Sequence, residues 1–203
     1  MKIICIGRNY AMHALELNNP VPTEPVVFMK PDSAILQSNK PFFIPDFTNN
    51  VQHELEVVVK IKKVGKHIQK KFAHKYYDSI TVGLDFTARD LQQQLKEKGL
   101  PWEKAKAFDG SAPVGKFIDI DENLDINNLD FSLKKNGEIV QFGNTKDMIF
   151  SIDTIIEYVS KYYTLKIGDL IYTGTPSGVN QVNIGDELQA FLNNKLLLTT
   201  YIK

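Results

Sequence analysis

Residues 51–63, Val-Gln-His-Glu-Leu-Glu-Val-Val-Val-Lys-Ile-Lys-Lys, constrain the fold more than any other stretch of this chain. Leu55, Val57, Val58, Val59 and Ile61 form a run dominated by β-branched residues, which suit a pleated strand better than a helix. The run, bounded by turn formers, predicts a strand. Because strand side chains alternate between faces, Glu54 and Glu56 project from the same one. Two adjacent carboxylates repel, and unless water solvates them the natural compensation is a hard divalent cation, which prefers oxygen ligands. Taken alone, such a pair is more often a solvated strand face. Asp85 supplies a third carboxylate: it lies among apolar residues at the end of a second strand, Ile80-Thr81-Val82, where a charge needs a partner.

Around these strands the sequence predicts a β-rich α+β fold, a mixed β-sheet roll or barrel with a few short helices. Further strands are expected at Ile3–Ile6, Val26–Met29, Leu170–Thr173, Glu187–Phe191 and Leu196–Ile202, separated by Gly and Asn turns. Helical patterns cover Ala11–Leu17, stopped by Asn18-Asn19-Pro20, and Leu91–Lys98, ended by Gly99 with Pro101 beyond. Ile152, Ile155, Ile156 and Val159 are spaced as one buried face of a helix within Phe150–Tyr162. Prolines at 20, 22, 25, 31, 41 and 45 make the intervening segment irregular.

A length of 203 residues suits one domain, taken as 1–203, and 43% hydrophobic with 24% charged residues is the composition of a folded chain. The 24 basic and 24 acidic residues cancel, so there is no bulk field to attract nucleic acid or an anionic membrane. Apolar runs fall short of the ~20 residues that span a bilayer. The short start Met-Lys-Ile-Ile-Cys-Ile-Gly-Arg predicts no signal peptide and a cytoplasmic location. Cys5 is the only cysteine, excluding an internal disulfide framework, and its place between Ile4 and Ile6 predicts a buried strand thiol.

Several short motifs occur in order along the chain: Gly7-Arg8-Asn9-Tyr10 with His13 and Glu16; Phe28-Met29-Lys30-Pro31; Glu54-Leu55-Glu56; Asp85-Phe86-Thr87-Ala88-Arg89-Asp90; Gly99-Leu100-Pro101-Trp102 with Lys106; and Thr173-Gly174-Thr175-Pro176 with Gly178-Val179. In this register the chain resembles the fumarylacetoacetate hydrolase family, and within it the short acylpyruvate hydrolase and oxaloacetate decarboxylase branch. The resemblance implies a β-rich roll assembled as a homodimer, with Glu54, Glu56 and Asp85 as ligands of Mg²⁺ or Mn²⁺. It implies His13 and Glu16 as an acid–base pair on a mobile lid, expected over residues 10–25, and Lys106 as a substrate-facing lysine. Arg8, Tyr10, Arg89 and Thr175 are the implied substrate-binding residues. Arg89 and Asp90 could instead pair with neighbouring structure, and Gly174-Thr175-Pro176 is either a structural corner or a carboxylate-binding turn. Ala107, where serine is common, and Leu84, where some branches carry asparagine, depart from the pattern without removing a ligand.

The expected reaction is metal-dependent hydrolysis of a carbon–carbon bond in a small 2,4-dioxo acid such as an acylpyruvate, releasing pyruvate as an enolate. Oxaloacetate decarboxylation and isomerisation or tautomerisation of a related 2-oxo acid are the alternatives. His13, one helical neighbour spacing from Glu16, would be oriented by it to remove a proton from water, and Lys106 would offset developing negative charge. A different class of function attaches to residues 57–77, where Lys60, Lys62, Lys63, Lys66, Lys70, Lys71 and Lys75 with Phe72, Tyr76 and Tyr77 could bind nucleic acid. The neutrality of the whole chain favours a solvated strand end and loop instead.

Overall fold

A computed structural model describes residues 1–16 and 20–203. The expected strand over 51–63 is present but divided. Val51–His53 pairs with Asn180–Gln181 and Thr87–Ala88 in a three-stranded sheet, whereas Leu55–Ile61 lies inside an eight-stranded sheet. The break falls at Glu54. Its carbonyl accepts from Asp85 N at 2.8 Å, while Leu55 N donates to a side chain, Gln141 Oε1, at 3.0 Å. At the other end Lys62 and Lys63 fall outside the strand.

The eight-stranded sheet runs in the spatial order Val26–Pro31, Lys2–Gly7, Leu170–Tyr172, Leu55–Ile61, Tyr77–Leu84, Ala112–Val114, Ile35–Gln37, with Ile118–Asp119 also paired to Tyr77–Leu84. Lys2–Gly7 is parallel to Leu170–Tyr172, and Leu55–Ile61 is antiparallel to both its neighbours, so the sheet is mixed as expected. A five-stranded sheet, Glu138–Asn144, Asp130–Lys135, Glu187–Leu192, Lys195–Ile202 and Pro41–Phe42, packs over it. The main core lies between the two: Leu55, Val57, Val59, Val82 and Leu84 meet Phe131, Leu133, Leu188, Ala190 and Leu198. Burying each such side chain contributes about 1.5–3 kcal/mol.

Four α-helices are described: α1 Ala11–Glu16, α2 Arg89–Glu97, α3 Glu103–Lys106 and α4 Ile152–Tyr162. Ser151 caps α4, its hydroxyl accepting from Thr154 N at 3.4 Å, and Ile152, Ile155, Ile156 and Val159 are its buried stripe, as their spacing predicts. Gly99, at φ +63°, follows the end of α2 in the left-handed conformation that glycine adopts most readily. Of the helix expected over Ala11–Leu17 and its stop at Asn18-Asn19, residues 17–19 lie outside the described residues. Among the described residues no helix is long and apolar enough to cross a membrane.

Candidate metal centre

Alternation along two neighbouring strands assembles the site. Leu55, Val57, Val59 and Ile61 face the main core, which turns Glu54, Glu56 and Val58 to the opposite face, where Val58 packs with Cys5 and Tyr172. On the adjoining strand Ile80, Val82 and Leu84 face the main core, leaving Thr81, Gly83 and Asp85 opposite. Glu56 is in register with Gly83. A Cβ on Gly83 would meet the Tyr172 ring at 2.7 Å, so this close approach requires glycine. One oxygen from each of Glu54, Glu56 and Asp85 lies within 4.8 Å of the others, and all three residues are buried.

Cations converge on two of the three carboxylates. Lys106, on α3, places Nζ 2.8 Å from Glu54 Oε2, 2.7 Å from Asp85 Oδ2 and 2.6 Å from Thr87 Oγ1. Lys30 Nζ sits 2.7 Å from Asp85 Oδ1 and also donates to Ser111 Oγ at 3.0 Å. Arg89 pairs with Glu54 Oε1 and donates to Gln52 and Gln92, each at 2.7 Å. Burial alone would raise the Glu54 pKa, but Lys106 and Arg89 outweigh it and hold the carboxyl well below its usual range. Burial likewise lowers Lys106, and Asp85 with Glu54 more than restores it. Glu56 accepts from Gly174 N at 2.7 Å. Burial first, then the charges of Asp85 and Glu54, push its carboxyl well up. An uncompensated buried carboxylate beside two others is a natural place for a cation, and an all-carboxylate donor set fits the hard ions Mg²⁺ or Mn²⁺ better than softer metals.

Two turns form the wall beside the carboxylates. Arg8 adopts φ +60°, and Asn9 pins the turn: its Nδ2 donates to Thr173 O at 2.7 Å and Phe150 O at 3.0 Å, and its Oδ1 accepts from Phe150 N at 2.8 Å. Gly174 (φ +102°) packs so close that a Cβ would lie 2.7 Å from that of Asn9. Thr175 Oγ1 accepts from Gln141 Nε2 at 2.9 Å. The same Gln141 receives Leu55 N and, at 2.9 Å, His53 Nδ1, so it ties the strand of the two glutamates to the threonine turn.

His13 is buried, its Nδ1 3.2 Å from Glu16 Oε2, and Glu16 in turn accepts from Gly178 N at 3.2 and 3.3 Å. This seats α1 over the site. Of the lid expected over residues 10–25, positions 17–19 are not among the described residues.

The resulting cleft is lined by His13, Arg8, Arg89, Lys106, Thr175 and the three carboxylates. Arg89 is committed to Glu54, Gln52 and Gln92, the structural pairing left open by the sequence. Tyr10, expected at the substrate, is placed elsewhere: its ring packs edge-on to Phe131, with centroids 6.0 Å apart, and borders a separate hollow with Phe142 and Pro176. Sequence reasoning missed Lys30, Gln92, Lys96 and Gln141. Lys30 stands in the Phe28-Met29-Lys30-Pro31 motif, but its place at Asp85 depends on how the strands stack.

The chain matches the family model described as fumarylacetoacetate (FAA) hydrolase C-terminal over residues 2–200. It is 45% identical over 194 residues to the mitochondrial oxaloacetate tautomerase FAHD1 of Bos taurus, covering 96% of this chain and 88% of that one. With the oxaloacetate tautomerase YcgM of Escherichia coli strain K12 the identity is 43% over 199 residues, covering 98% and 91%. The fold matches that of a fumarylpyruvate hydrolase from Pseudomonas aeruginosa, solved in complex with Mn²⁺ and pyruvate, at a TM-score of 0.94 and 34% identity, covering 100% and 89%.

Proposed function

The chain belongs to the fumarylacetoacetate hydrolase family, and on that premise we propose that it interconverts the keto and enol forms of oxaloacetate or a closely similar small 2-oxo acid. Glu54, Glu56 and Asp85 would hold Mg²⁺ or Mn²⁺. One observation carries the reading: a histidine oriented by a carboxylate opens onto the same cleft as the three metal-binding candidates. Proton transfer beside an activated ketone needs those two parts and no bound water.

When bound, the divalent ion would act as a Lewis acid on the keto oxygen and so acidify the adjacent C–H. Glu16 accepts from Nδ1 of His13, which leaves Nε2 of the ring as the base. In the keto-to-enol direction His13 takes the proton from C3 as the C–H bond breaks, and the proton is delivered to the keto oxygen. Lys106 offsets the negative charge that develops on that oxygen. Thr175 and Arg8 orient the carboxylate.

Hydrolysis of an acylpyruvate, the reaction put first on sequence grounds, takes second place. Relatives at 43% and 45% identity are named tautomerases, while the fumarylpyruvate hydrolase stands at 34%. The His13–Glu16 pair could equally activate water, which keeps hydrolysis the alternative. A homodimer of single-domain protomers is part of the same reading, and light scattering at twice the 23.0 kDa chain mass tests it.

The deciding assay follows decay of the enol absorbance of oxaloacetate and release of pyruvate from acetylpyruvate, both with Mg²⁺. Tautomerisation well above the buffer rate is expected, falling by about 10²–10⁴ in His13→Ala, the usual worth of a positioned base. Efficient acetylpyruvate cleavage with oxaloacetate tautomerising no faster than in buffer would overturn the assignment.

A further inference from the structure

The inner wall of the cleft balances its charges, and the outer wall does not. Inside, the three carboxylates stand against Lys30, Arg89 and Lys106, so their formal charges cancel. Arg8 and Lys96 also line the cleft, and among the described residues neither forms an ion pair. Lys96 is half-buried on α2, with its ammonium 5.6 Å from the centre of the Trp102 ring. Burial, then the charges of Arg89, Arg8 and Lys106, lower its pKa from the ordinary lysine value. Arg8 stands at φ +60°, a strained conformation for a residue with a Cβ, and Asn9 pins the turn.

A partly desolvated cation among other cations lacks an anion, and the protein does not supply one. A divalent ion at the carboxylate cluster would add two further positive charges to an already balanced inner wall. The ligand that neutralises both walls is negative at its two ends.

We propose that Lys96 binds the distal carboxylate of a dianionic 2-oxo acid, and so makes the cleft select dicarboxylates over monocarboxylates. This rests on the reading of the cleft as a 2-oxo acid site and adds the residue that sets its specificity. The Lys96 stem reaches the cleft along the Trp102 face, which restricts where the ammonium can go.

The test is titration calorimetry of the Mg²⁺-loaded protein with pyruvate and with 3,3-difluoro-oxaloacetate. The two share the 2-oxo carboxylate end, and the second has no hydrogen on C3 to lose. Wild type should bind the dianion more tightly than pyruvate by about 10–100-fold, the usual worth of one hydrogen bond to a charged group. Lys96→Met should cut that ratio by about tenfold or more while pyruvate affinity stays within about twofold, and Lys96→Arg should keep most of the preference. A ratio unchanged in Lys96→Met, equal weakening of both ligands, or a wild type without preference would overturn the proposal. Since the readout is a ratio of dissociation constants, it decides on Lys96 whether or not oxaloacetate is turned over.

Discussion

At one end of the strand Leu55–Ile61 stand Glu54 and Glu56, 5% and 1% exposed; at the other stand Lys60, Lys62 and Lys63, followed by Lys66, Lys70, Lys71 and Lys75, all exposed except the half-buried Lys60. By count of charges the lysine end is the stronger feature. Yet its side chains spread over the surface: Lys71 and Lys75 lie 4.9 and 5.2 Å from the Phe72 ring centre, and Lys63 lies 5.3 Å from that of Tyr76. At exposed sites such contacts are worth only ~0.5–1 kcal/mol. At the glutamate end Lys106 stands 2.7–2.8 Å from two buried carboxylates, where weak screening makes each charge consequential. Burial and convergence, rather than charge density, separate a site from a solvated surface.

The largest effect should come from the buried end. Alanine at Glu54, Glu56 or Asp85 should abolish both divalent-ion binding, read by calorimetry, and metal-dependent turnover, and EDTA should do the same to wild type. Full activity in EDTA would erase the distinction between the two ends. Next comes Lys30→Met, which strips a buried cation from Asp85 and should destabilise the metal-free protein by about 3–5 kcal/mol in urea denaturation. A loss under about 1 kcal/mol would mean that Asp85 is not held as a buried ion pair. The smallest effect belongs to the lysine end: replacing Lys66, Lys70 and Lys71 together by Gln should leave turnover unchanged and stability within ~0.5 kcal/mol per site. Wild-type affinity for DNA or RNA that falls steeply with salt, and is lost in this triple variant, would make that end a site after all.

The two ends were not equally legible in the sequence. Glu54 and Glu56 could be placed on one face because alternation is a local rule, and the helix at 152–162 was readable from its apolar spacing for the same reason. Lys30 was not, since its pairing with Asp85 joins residues far apart in sequence and depends on how strands stack. Lys96 looked like any solvated lysine of a short helix until α2 was set beside the cleft. The split at Glu54 was also hidden, because it depends on Gln141 supplying an acceptor to Leu55 N from another sheet. Asn136-Gly137, with φ +54° and +89°, turns the hairpin between Asp130–Lys135 and Glu138–Asn144; this is a local signal the sequence contained and strand reading passed over.

Gln141 has one further consequence, for which way hydrogen bonds run. Its Oε1 is fixed as the acceptor by the backbone N–H of Leu55, and its Nε2 as the donor by the carbonyl of Pro176 at 3.0 Å. His53 must therefore carry its hydrogen on Nδ1 to meet Oε1, and Thr175 must receive a hydrogen from Nε2. The acceptor nearest the hydroxyl hydrogen of Thr175 within the protein is Pro176 O, at the 3.5 Å limit of a hydrogen bond, so that hydrogen is free to turn toward the cleft. The polarity of the chain begins on a backbone amide and ends on a hydroxyl offering a hydrogen. A carboxylate arriving there finds a donor waiting.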